Sequence, residues 1–369
     1  MILVLSVMMW SAVACGQPVR DVGEGGLEPL PDSFSDTLSD YVAADDPGVV
    51  VYVGNDEEAY TAAYGLADLD AAIAVVPTDF FRIGSSSKPF VAAALLSLVE
   101  AGSLDLGDPI ADYLPAEIVD NLANADTATV RQMLQMTSGI PDYLDTDAFL
   151  DAVDANPATF WTPAQVLRFA YDEPASFASG RGFYYSNSNY ILAQIIIETL
   201  TGQSLAAALD TRVLGPAAIT DCYLETEATF AANIVRGYDY GDDDSDDLVD
   251  VTTINDGVGL GDGGLVCTAA ALAQFLPALF ATEIIGSAML SAMLDSVPSD
   301  SDAPYGLGID VDPDGLYGLT VGHSGATSGF QAVMIYLPDE ELSVVALTNF
   351  AESDVLEDIV YDVQDWWFE

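Results

Sequence analysis

Positive charge is almost missing from this chain of 369 residues. Lys88 is the one lysine, His323 is the one histidine, and no arginine or lysine follows Arg236. A chain without a basic patch cannot neutralise phosphates or anionic headgroups, so nucleic acids and anionic lipid surfaces are excluded as partners. One histidine and three cysteines leave no Cys/His cluster for a zinc site. We therefore expect neither a metal nor a cofactor.

Acidic side chains are abundant instead. Asp and Glu number 59 against 8 Lys and Arg, which gives a formal net charge of −51. Such a surface repels itself unless salt screens it, and at about 1 M salt the Debye length is only about 3 Å. We interpret the chain as halophilic, with activity that rises with salt and is lost at low ionic strength. An acidic secreted protein kept soluble by its charge is the alternative interpretation.

The N-terminus has the composition of an export signal. Residues 1–15 contain no charged side chain and end in small residues before Cys15, which resembles a lipoprotein signal peptide. Lipidation at Cys15 is expected, so the membrane would be contacted only through a lipid anchor. Residues 16–33, rich in Gly, Pro and acid, predict a tether. The protein is expected to be exported, as a cell-envelope lipoprotein or in secreted form.

Two further cysteines lie in the second half of the chain. In an exported protein Cys222 and Cys267 could form a disulfide. Two buried thiols are the alternative, because the sequence alone does not show how closely these residues approach.

Segments with strand patterns lie at both ends of the chain, around a helical middle. A helix is expected at about 34–44 and another at about 353–367. Strands are predicted at 48–54, 59–65, 79–84, 305–311, 316–323, 329–337 and 342–349. This order predicts an α/β (α+β) catalytic domain over 34–369, in which helices at both termini flank an antiparallel sheet. Its α/β lobe covers about 34–100 and 300–369, an all-helical lobe covers about 103–290, and the active site is expected between the lobes.

The acidic segment Asp310–Gly315 invites comparison with a calcium-binding loop. Its Asp spacing imitates the start of such a loop, but the position that should be Glu is Val321. An Asp-Gly hairpin turn between two strands is the favoured interpretation.

A serine and the only lysine stand three residues apart at a predicted strand-to-helix junction. Ser85 and Lys88 form an S-x-x-K sequence, and residues at i and i+3 of a helix share a face. Lys88 can act as a base only if burial lowers its pKa well below about 10.4. Because the chain has no other lysine, this spacing predicts a nucleophile with its base.

Two more short segments with polar side chains accompany that pair, one around Tyr185 and one around His323. Tyr185 and Asn187 precede an apolar helical stretch, where a Tyr hydroxyl can relay protons and an Asn amide can bind both Lys88 and a substrate carbonyl. His323, Ser324 and Gly325 end a predicted strand. We expect Gly325 to let a substrate backbone approach that strand closely.

These three motifs, in this order, resemble the serine β-lactamase and penicillin-binding protein superfamily, and within it the class C β-lactamase and DD-carboxypeptidase branch. Further matching stretches lie at 81–90, 134–140 and 263–268, and the resemblance covers about 35–369. It implies a β-lactamase/transpeptidase-like fold.

The resemblance also implies roles for individual residues. Ser85 would be the acylated nucleophile, Lys88 its base partner and Tyr185 the proton relay. Asn187 would hold Lys88 and the substrate, while His323 would occupy the third motif's Lys or His position. The remaining implied contacts are an oxyanion hole from the N–H groups of Ser85 and Ala326, and substrate contacts by Ser324 and Gly325.

The expected function is therefore hydrolysis through a Ser85 acyl-enzyme. A peptide or amide such as a D-Ala-D-Ala-like group is the favoured substrate. Penicillin and D-Ala-D-Ala both present a carboxylate, so the absence of Arg and Lys after Arg236 weakens β-lactam turnover and leaves room for ester or amide hydrolysis. An esterase or a β-lactamase on the same fold, and a non-catalytic binding module that keeps the fold, are the alternatives. The partner would be a small-molecule or peptide acyl substrate, and the oligomeric state stays open.

Overall fold

The computed structural model describes residues 28–29, 32–241, 247–300, 303–353 and 355–369. The predicted signal over 1–15, including Cys15, and most of the predicted tether over 16–33 lie outside these residues. Cleavage and lipidation stay predictions.

Fourteen strands lie in the described residues. They are β1 Glu28–Pro29, β2 Val49–Gly54, β3 Ala59–Tyr64, β4 Leu66–Asp68, β5 Ile73–Ala74, β6 Phe81–Arg82, β7 Cys222–Leu224, β8 Tyr238–Tyr240, β9 Leu248–Asp250, β10 Leu265–Cys267, β11 Asp310–Gly315, β12 Gly318–Thr327, β13 Phe330–Leu337 and β14 Leu342–Thr348.

Twelve α-helices accompany them in the same residues. They are α1 Asp32–Tyr41, α2 Lys88–Glu100, α3 Ala116–Asn121, α4 Val130–Leu134, α5 Asp147–Ala155, α6 Pro163–Leu167, α7 Ser188–Thr201, α8 Leu205–Leu209, α9 Ala269–Ala273, α10 Phe275–Phe280, α11 Ser287–Met293 and α12 Leu356–Phe368. Within the described ranges no single helix is long and apolar enough to cross a membrane; one bent pair, α7 with Leu205–Leu214, passes that test by length and composition only.

A seven-stranded sheet organises the molecule, in the order β1-β3-β2-β14-β13-β12-β11. All neighbours in it are antiparallel except β1 and β3. Every residue of the central strand β14 is buried, because both faces of the sheet are covered. The terminal helices α1 and α12 pack on one face, and α9 packs on the other, next to the helical part of the chain.

Two helices carry the core between the sheet and the helical part. Helix α2 and helix α7 contact each other, and most of their residues are buried whichever way they point. A helix that is apolar on all sides is stable only in such an interior position. Two of the three motifs, the S-x-x-K segment and the Tyr185–Asn187 segment, lie at the N-terminal ends of these two helices, so the packed core sets their positions.

The predicted helical lobe contains short strands that the sequence pattern did not indicate. β7 and β10 each have three residues and form a second sheet with β6, and strands of this length show too little alternation to be recognised. Cys222 and Cys267 are directly paired across β7 and β10 and are joined by a disulfide. Of the two alternatives left open by the sequence, the structure therefore has the disulfide.

Several predicted elements differ in their bounds; the strand expected at 79–84, for example, is only Phe81–Arg82. The strand expected at 305–311 begins only at Asp310, because the chain at 305–310 folds back on itself and Tyr305 pairs with Asp310 in an isolated bridge. The predicted hairpin between β11 and β12 is present. Within the expected helical lobe, α9 and α10 are two consecutive helices that meet at Gln274.

A buried ion pair holds the strand that leads into the S-x-x-K turn. The Arg82 Nε atom lies 2.9 Å from Glu225 Oε2, and both side chains are almost completely shielded from solvent. The Arg82 guanidinium also lies over the Phe230 and Phe330 rings. Removing one partner of such a pair leaves an uncompensated buried charge, so β6 is firmly anchored beside the site.

Candidate active site

The S-x-x-K segment forms the turn between β6 and α2. Residues Gly84–Ser87 make one 3-10 turn, and α2 begins at Lys88. The Lys88 Nζ atom donates a hydrogen bond of 2.8 Å to Ser85 Oγ. The contact that the i, i+3 spacing predicts is therefore present.

This turn is pressed directly against β12. A Cβ atom on Gly325 would lie 2.1 Å from the Ile83 carbonyl oxygen, and one on Gly84, which has a positive φ of 49°, would lie 2.7 Å from Ala326 N. The close neighbour of Gly325 is thus the chain's own turn, whereas the sequence analysis expected a substrate backbone there. The N–H groups of Ser85 and Ala326, the expected oxyanion donors, belong to these two touching segments.

The Lys88 ammonium group is fully buried and fully hydrogen-bonded. Besides Ser85 Oγ, it donates 2.8 Å hydrogen bonds to Asn187 Oδ1 and to the Asp262 carbonyl oxygen. Burial lowers the pKa of Lys88 to about 8, although the negative charges of Asp262 and Asp142 oppose the shift. Lys88 therefore exchanges its proton close to neutral pH, as a base for Ser85 must.

Asn187 is held in one orientation by a residue that the sequence analysis did not identify. Asp142 Oδ2 accepts a 2.8 Å hydrogen bond from Asn187 Nδ2 and a 3.1 Å bond from the Asn187 backbone N–H. Because the amide nitrogen is committed to Asp142, the amide oxygen points to Lys88. Asp142 lies two residues after the recognised 134–140 stretch, and that proximity was the available signal.

Tyr185 completes this side of the site. Its ring centroid lies 4.9 Å from Lys88 Nζ, and its buried hydroxyl makes no hydrogen bond in the described part of the chain. Burial raises the pKa of Tyr185 well above its ordinary value, an effect that the neighbouring Ser85 side chain only reduces. Tyr185 consequently keeps its proton and is suited to pass one on.

His323 occupies the opposite side as a neutral imidazole. Burial and the nearby Lys88 charge lower the pKa of His323 to about 3. Its Nδ1 atom contacts the Ser324 carbonyl oxygen, and its Nε2 atom lies 3.1 Å from the Tyr305 hydroxyl. The carbonyl needs a donor, so Nδ1 carries the proton and Nε2 accepts from Tyr305. His323 provides no positive charge for a substrate carboxylate.

A second buried acid, Asp262, lies behind the nucleophile. Its Oδ2 atom accepts a 2.7 Å hydrogen bond from the Tyr143 hydroxyl, while Oδ1 has no partner within the described ranges. Burial raises the pKa of Asp262 to about 6, and the Lys88 charge opposes this. Asp262 was not among the predicted site residues, although it immediately precedes the recognised 263–268 stretch.

These groups open into one cavity of about 810 Å³ between the helical part and the sheet, where an active site was expected. The predicted site residues that line it are Ser85, Tyr185, Asn187, His323, Ser324, Gly325 and Ala326. Lys88 lies beneath Ser85. The structure therefore brings all the predicted site residues of the catalytic domain together, while Cys15 is outside the described residues.

Comparisons with known proteins agree with this geometry. The Beta-lactamase family model matches residues 34–364. A D-aminopeptidase from Brucella anthropi is 30% identical over 299 residues, which cover 78% of this chain and 53% of that protein. Penicillin-binding protein 4* from Bacillus subtilis is 25% identical over 85% of this chain and 70% of its own length. The chain thus spans about half the length of the D-aminopeptidases it matches.

Among solved structures, a D-stereospecific amidohydrolase from Streptomyces sp. superposes with a TM-score of 0.78 at 25% identity. The match covers 90% of this chain and 98% of that one.

Proposed function

The chain belongs to the Beta-lactamase family, and from that premise we propose that it is a serine hydrolase that cleaves amide or peptide bonds through an acyl-enzyme on Ser85. The family and the fold class expected from the sequence are confirmed. The residue roles and the substrate form the proposal.

The observation that carries the proposal is the environment of Lys88. Its Nζ atom lies 2.8 Å from Ser85 Oγ, and burial lowers its pKa to about 8. A fraction of the molecules therefore holds a neutral amine beside the serine hydroxyl at neutral pH. A lysine kept only for structure would need no such contact with a partly exposed serine.

Acylation follows from this arrangement. Neutral Lys88 accepts the Ser85 proton while Oγ attacks the substrate carbonyl carbon, and the N–H groups of Ser85 and Ala326 stabilise the oxygen that becomes negative. The C–N bond then breaks. Tyr185 gives its proton to the departing amine and recovers one from protonated Lys88, so that the protons balance and an ester on Ser85 remains.

Deacylation reverses these transfers with water as the nucleophile. Water loses a proton to the Lys88–Tyr185 pair and attacks the ester carbonyl, and Ser85 Oγ regains a proton as it leaves. Asn187, held by Asp142, keeps Lys88 in place through both halves of the reaction.

An amide or peptide is favoured as the substrate for two reasons. The relatives are named D-aminopeptidase and D-stereospecific amidohydrolase, and the third-motif position holds a neutral His323 rather than a cation. A D-amino-acid amide fits this chemistry best. A penicillin and a D-Ala-D-Ala-like peptide would each present a carboxylate that no lysine or arginine of the cavity lining could bind.

The test measures hydrolysis of D-alanine p-nitroanilide in about 2 M salt, together with the intact mass of the protein after incubation with penicillin. The full chain is compared with Ser85→Ala and with Ser103→Ala, an exposed serine beyond the other end of α2. We expect hydrolysis by the wild type and Ser103→Ala only, and any covalent adduct that forms should be confined to the proteins that keep Ser85.

Other outcomes select the alternatives. Release of acid from short-chain esters without amide cleavage would identify an esterase, and consumption of penicillin would identify a β-lactamase. Undiminished hydrolysis by Ser85→Ala would refute the acyl-enzyme. The absence of any turnover and any adduct would leave the non-catalytic binding module.

A further inference from the structure

Strand β12 is paired along only half of one edge. Its neighbour β11 reaches from Gly315 to Asp310, and the last pair is Asp310 with Gly322. Residues 323–327 continue beyond that pair, with β13 on their other side and with no strand beside the open edge in the described part of the chain. An extended substrate chain can add to such an edge by backbone hydrogen bonds.

Asp310 stands where that open edge begins. It lines the cavity together with His323 and Ser324, and a substrate lying along residues 323–327 would meet β11 at this side chain. From the sequence, Asp310 was interpreted as part of a hairpin turn. The turn instead lies at the far end of β11, so Asp310 is free for another role.

The Asp310 carboxylate is largely buried without a partner. Within the described ranges no hydrogen bond or ion pair involves it, and burial alone raises the pKa of Asp310 to about 7. Holding an unpaired acid in such a place costs stability. A positive charge beside it would favour the ionised form, and no lysine or arginine of the cavity lining supplies one.

Aromatic side chains stand on the same side of the cavity. The Tyr305 ring lies 5.7 Å from the Phe183 ring and 6.0 Å from the Tyr185 ring. The charge of Asp310 reaches both Tyr185 and Tyr305, since it contributes to their raised pKa values. A carboxylate beside aromatic faces is the combination that attracts organic cations.

The rest of the cavity repels anions and leaves room for a cation. Its lining includes five acids, which are Asp256, Asp262, Asp300, Asp310 and Glu357. Asp262 Oδ1 is buried and, in the residues described, has no hydrogen-bond partner either. A carboxylate-bearing substrate would meet only negative charge here, whereas an ammonium group would be attracted from the entrance inward.

We propose that Asp310, with Tyr305 near it and Phe183 against Tyr305, binds an ammonium group of the substrate. This inference rests on the proposed acyl transfer at Ser85 and specifies its substrate class, namely amides or peptides with an unmodified amine. The amine is either the α-ammonium of the acyl residue or a side-chain ammonium. Asp310 is in this view a specificity residue, and it takes no part in proton transfer.

The test uses three p-nitroanilides with the same leaving group. D-alanine p-nitroanilide has an α-ammonium, Nα-acetyl-D-lysine p-nitroanilide has only a side-chain ammonium, and N-acetyl-D-alanine p-nitroanilide has neither. For the wild type we expect the third substrate to have a kcat/KM at least about tenfold below that of the better amine substrate, mainly through KM. The better of the two amines identifies the source of the charge.

Asp310→Asn keeps the shape of the side chain and removes its charge. We expect it to lower kcat/KM for the preferred amine substrate at least about tenfold and to change that for the uncharged substrate less than twofold. The matched control is Asp312→Asn, which removes the same charge two residues along β11, where the side chain does not line the cavity. It should leave all three rates unchanged.

Binding to the Ser85→Ala protein gives the same answer without turnover. Calorimetry should show tighter binding of the preferred free amine, D-alaninamide or Nα-acetyl-D-lysinamide, than of N-acetyl-D-alaninamide, and the difference should vanish when Asp310→Asn is added. Failure of the proposed chemistry would appear as unmodified Ser85 and no turnover, and it would leave this binding difference measurable.

Two results would overturn the proposal. One is an equal loss for all three substrates in Asp310→Asn, especially with a lowered melting temperature, because it would mean a structural role. The other is a wild type that binds or cleaves the acetylated substrate as well as either amine.

Discussion

The two walls of the cavity are built in different ways. The helical wall holds Ser85, Lys88, Tyr185 and Asn187, whose side chains meet at the N-terminal ends of two buried helices. The strand wall is formed by residues 323–327 of β12 and by Asp310, and it contributes mainly backbone and a carboxylate for which the described residues offer no partner. In the proposed mechanism, the proton-transfer groups therefore lie on the helical wall, while the strand wall supplies one oxyanion donor and the groups that recognise the substrate.

Packing explains why the chemistry lies on the helical wall. Proton transfer requires atoms held within hydrogen-bond distance, and Lys88 has all three of its hydrogen bonds to protein acceptors. An open strand edge cannot hold long side chains so firmly. It offers a row of backbone groups that suits many peptides, and one charged side chain at its end can then decide which of them bind.

The largest effect is expected when Lys88, the proposed base of the helical wall, is replaced. Lys88→Met should lower kcat about 10²–10⁴-fold, the usual contribution of a general base. Lys88→Arg should be equally inactive, because arginine keeps the positive charge and does not give up its proton near neutral pH. Steady-state hydrolysis of D-alanine p-nitroanilide measures both. An active Lys88→Arg variant would show that Lys88 supplies charge rather than basicity.

The second prediction concerns a substitution that should force the two walls of the cavity apart. Gly325→Ala places a methyl group in the backbone of the Ser85 turn, at 2.1 Å from the Ile83 carbonyl oxygen. We expect a loss of about 1–3 kcal/mol in the free energy of unfolding, as overpacking usually causes, and at least about a tenfold loss in kcat through the displaced oxyanion donors.

Gly107→Ala is the matched control for this substitution, because a Cβ there meets nothing within 4 Å. Denaturant unfolding and hydrolysis are measured on both variants. If Gly325→Ala is as stable and active as Gly107→Ala, the two walls are not in rigid contact.

The third prediction concerns the acid behind the helical wall. Asp262 stabilises protonated Lys88, so Asp262→Asn should lower the pKa of Lys88 below about 8. Lys88 is then neutral at lower pH, and the acidic limb of the kcat/KM profile moves towards lower pH by about one unit. Asp120→Asn, an exposed acid, serves as the control with the same change of charge. A limb that stays in place would remove Asp262 from the control of Lys88.

The fourth prediction, with the smallest expected effect, concerns how salt screens the negative charge of the protein. Raising salt from about 0.1 to about 1 M shortens the Debye length from about 10 to about 3 Å. The acidic side chains behind the net charge of −51 then repel one another less. They also stabilise the protonated form of Lys88 less. We expect the melting temperature and kcat to rise, kcat by several-fold. The binding preference that depends on Asp310 should change less, because that residue is only partly exposed. Unchanged values in dilute buffer would argue against the halophilic interpretation.

The sequence predicted more of the helical wall than of the strand wall. Ser85 with Lys88 is a local spacing, and Tyr185 with Asn187 is another, so short motifs were sufficient for the helical wall. Asp142, Asp262 and Tyr305 were missed because their roles exist only through contacts with distant segments. Asp262 is 174 residues away from the lysine that contacts its carbonyl.

For the strand wall, too, the sequence did not show properties that depend on contacts with distant segments. The third motif was recognised at His323, yet its neutral state depends on burial and on Lys88. Asp310 was interpreted as part of a turn, because neither composition nor alternation shows which end of β11 faces the cavity. Export and the lipid anchor at Cys15 stay predictions, which the mass of the mature protein would test.

The sequence by itself determined the motifs, the apolar helices that carry two of them and the excess of acid. It also determined where the main strands lie along the chain. These features depend on residue type and on local spacing. Only the tertiary structure decided which acids lie beside Lys88, which cysteines are joined, why Gly325 must be glycine and where Asp310 stands. Those features depend on burial and on distances between segments that are far apart along the chain, and folding alone brings them together.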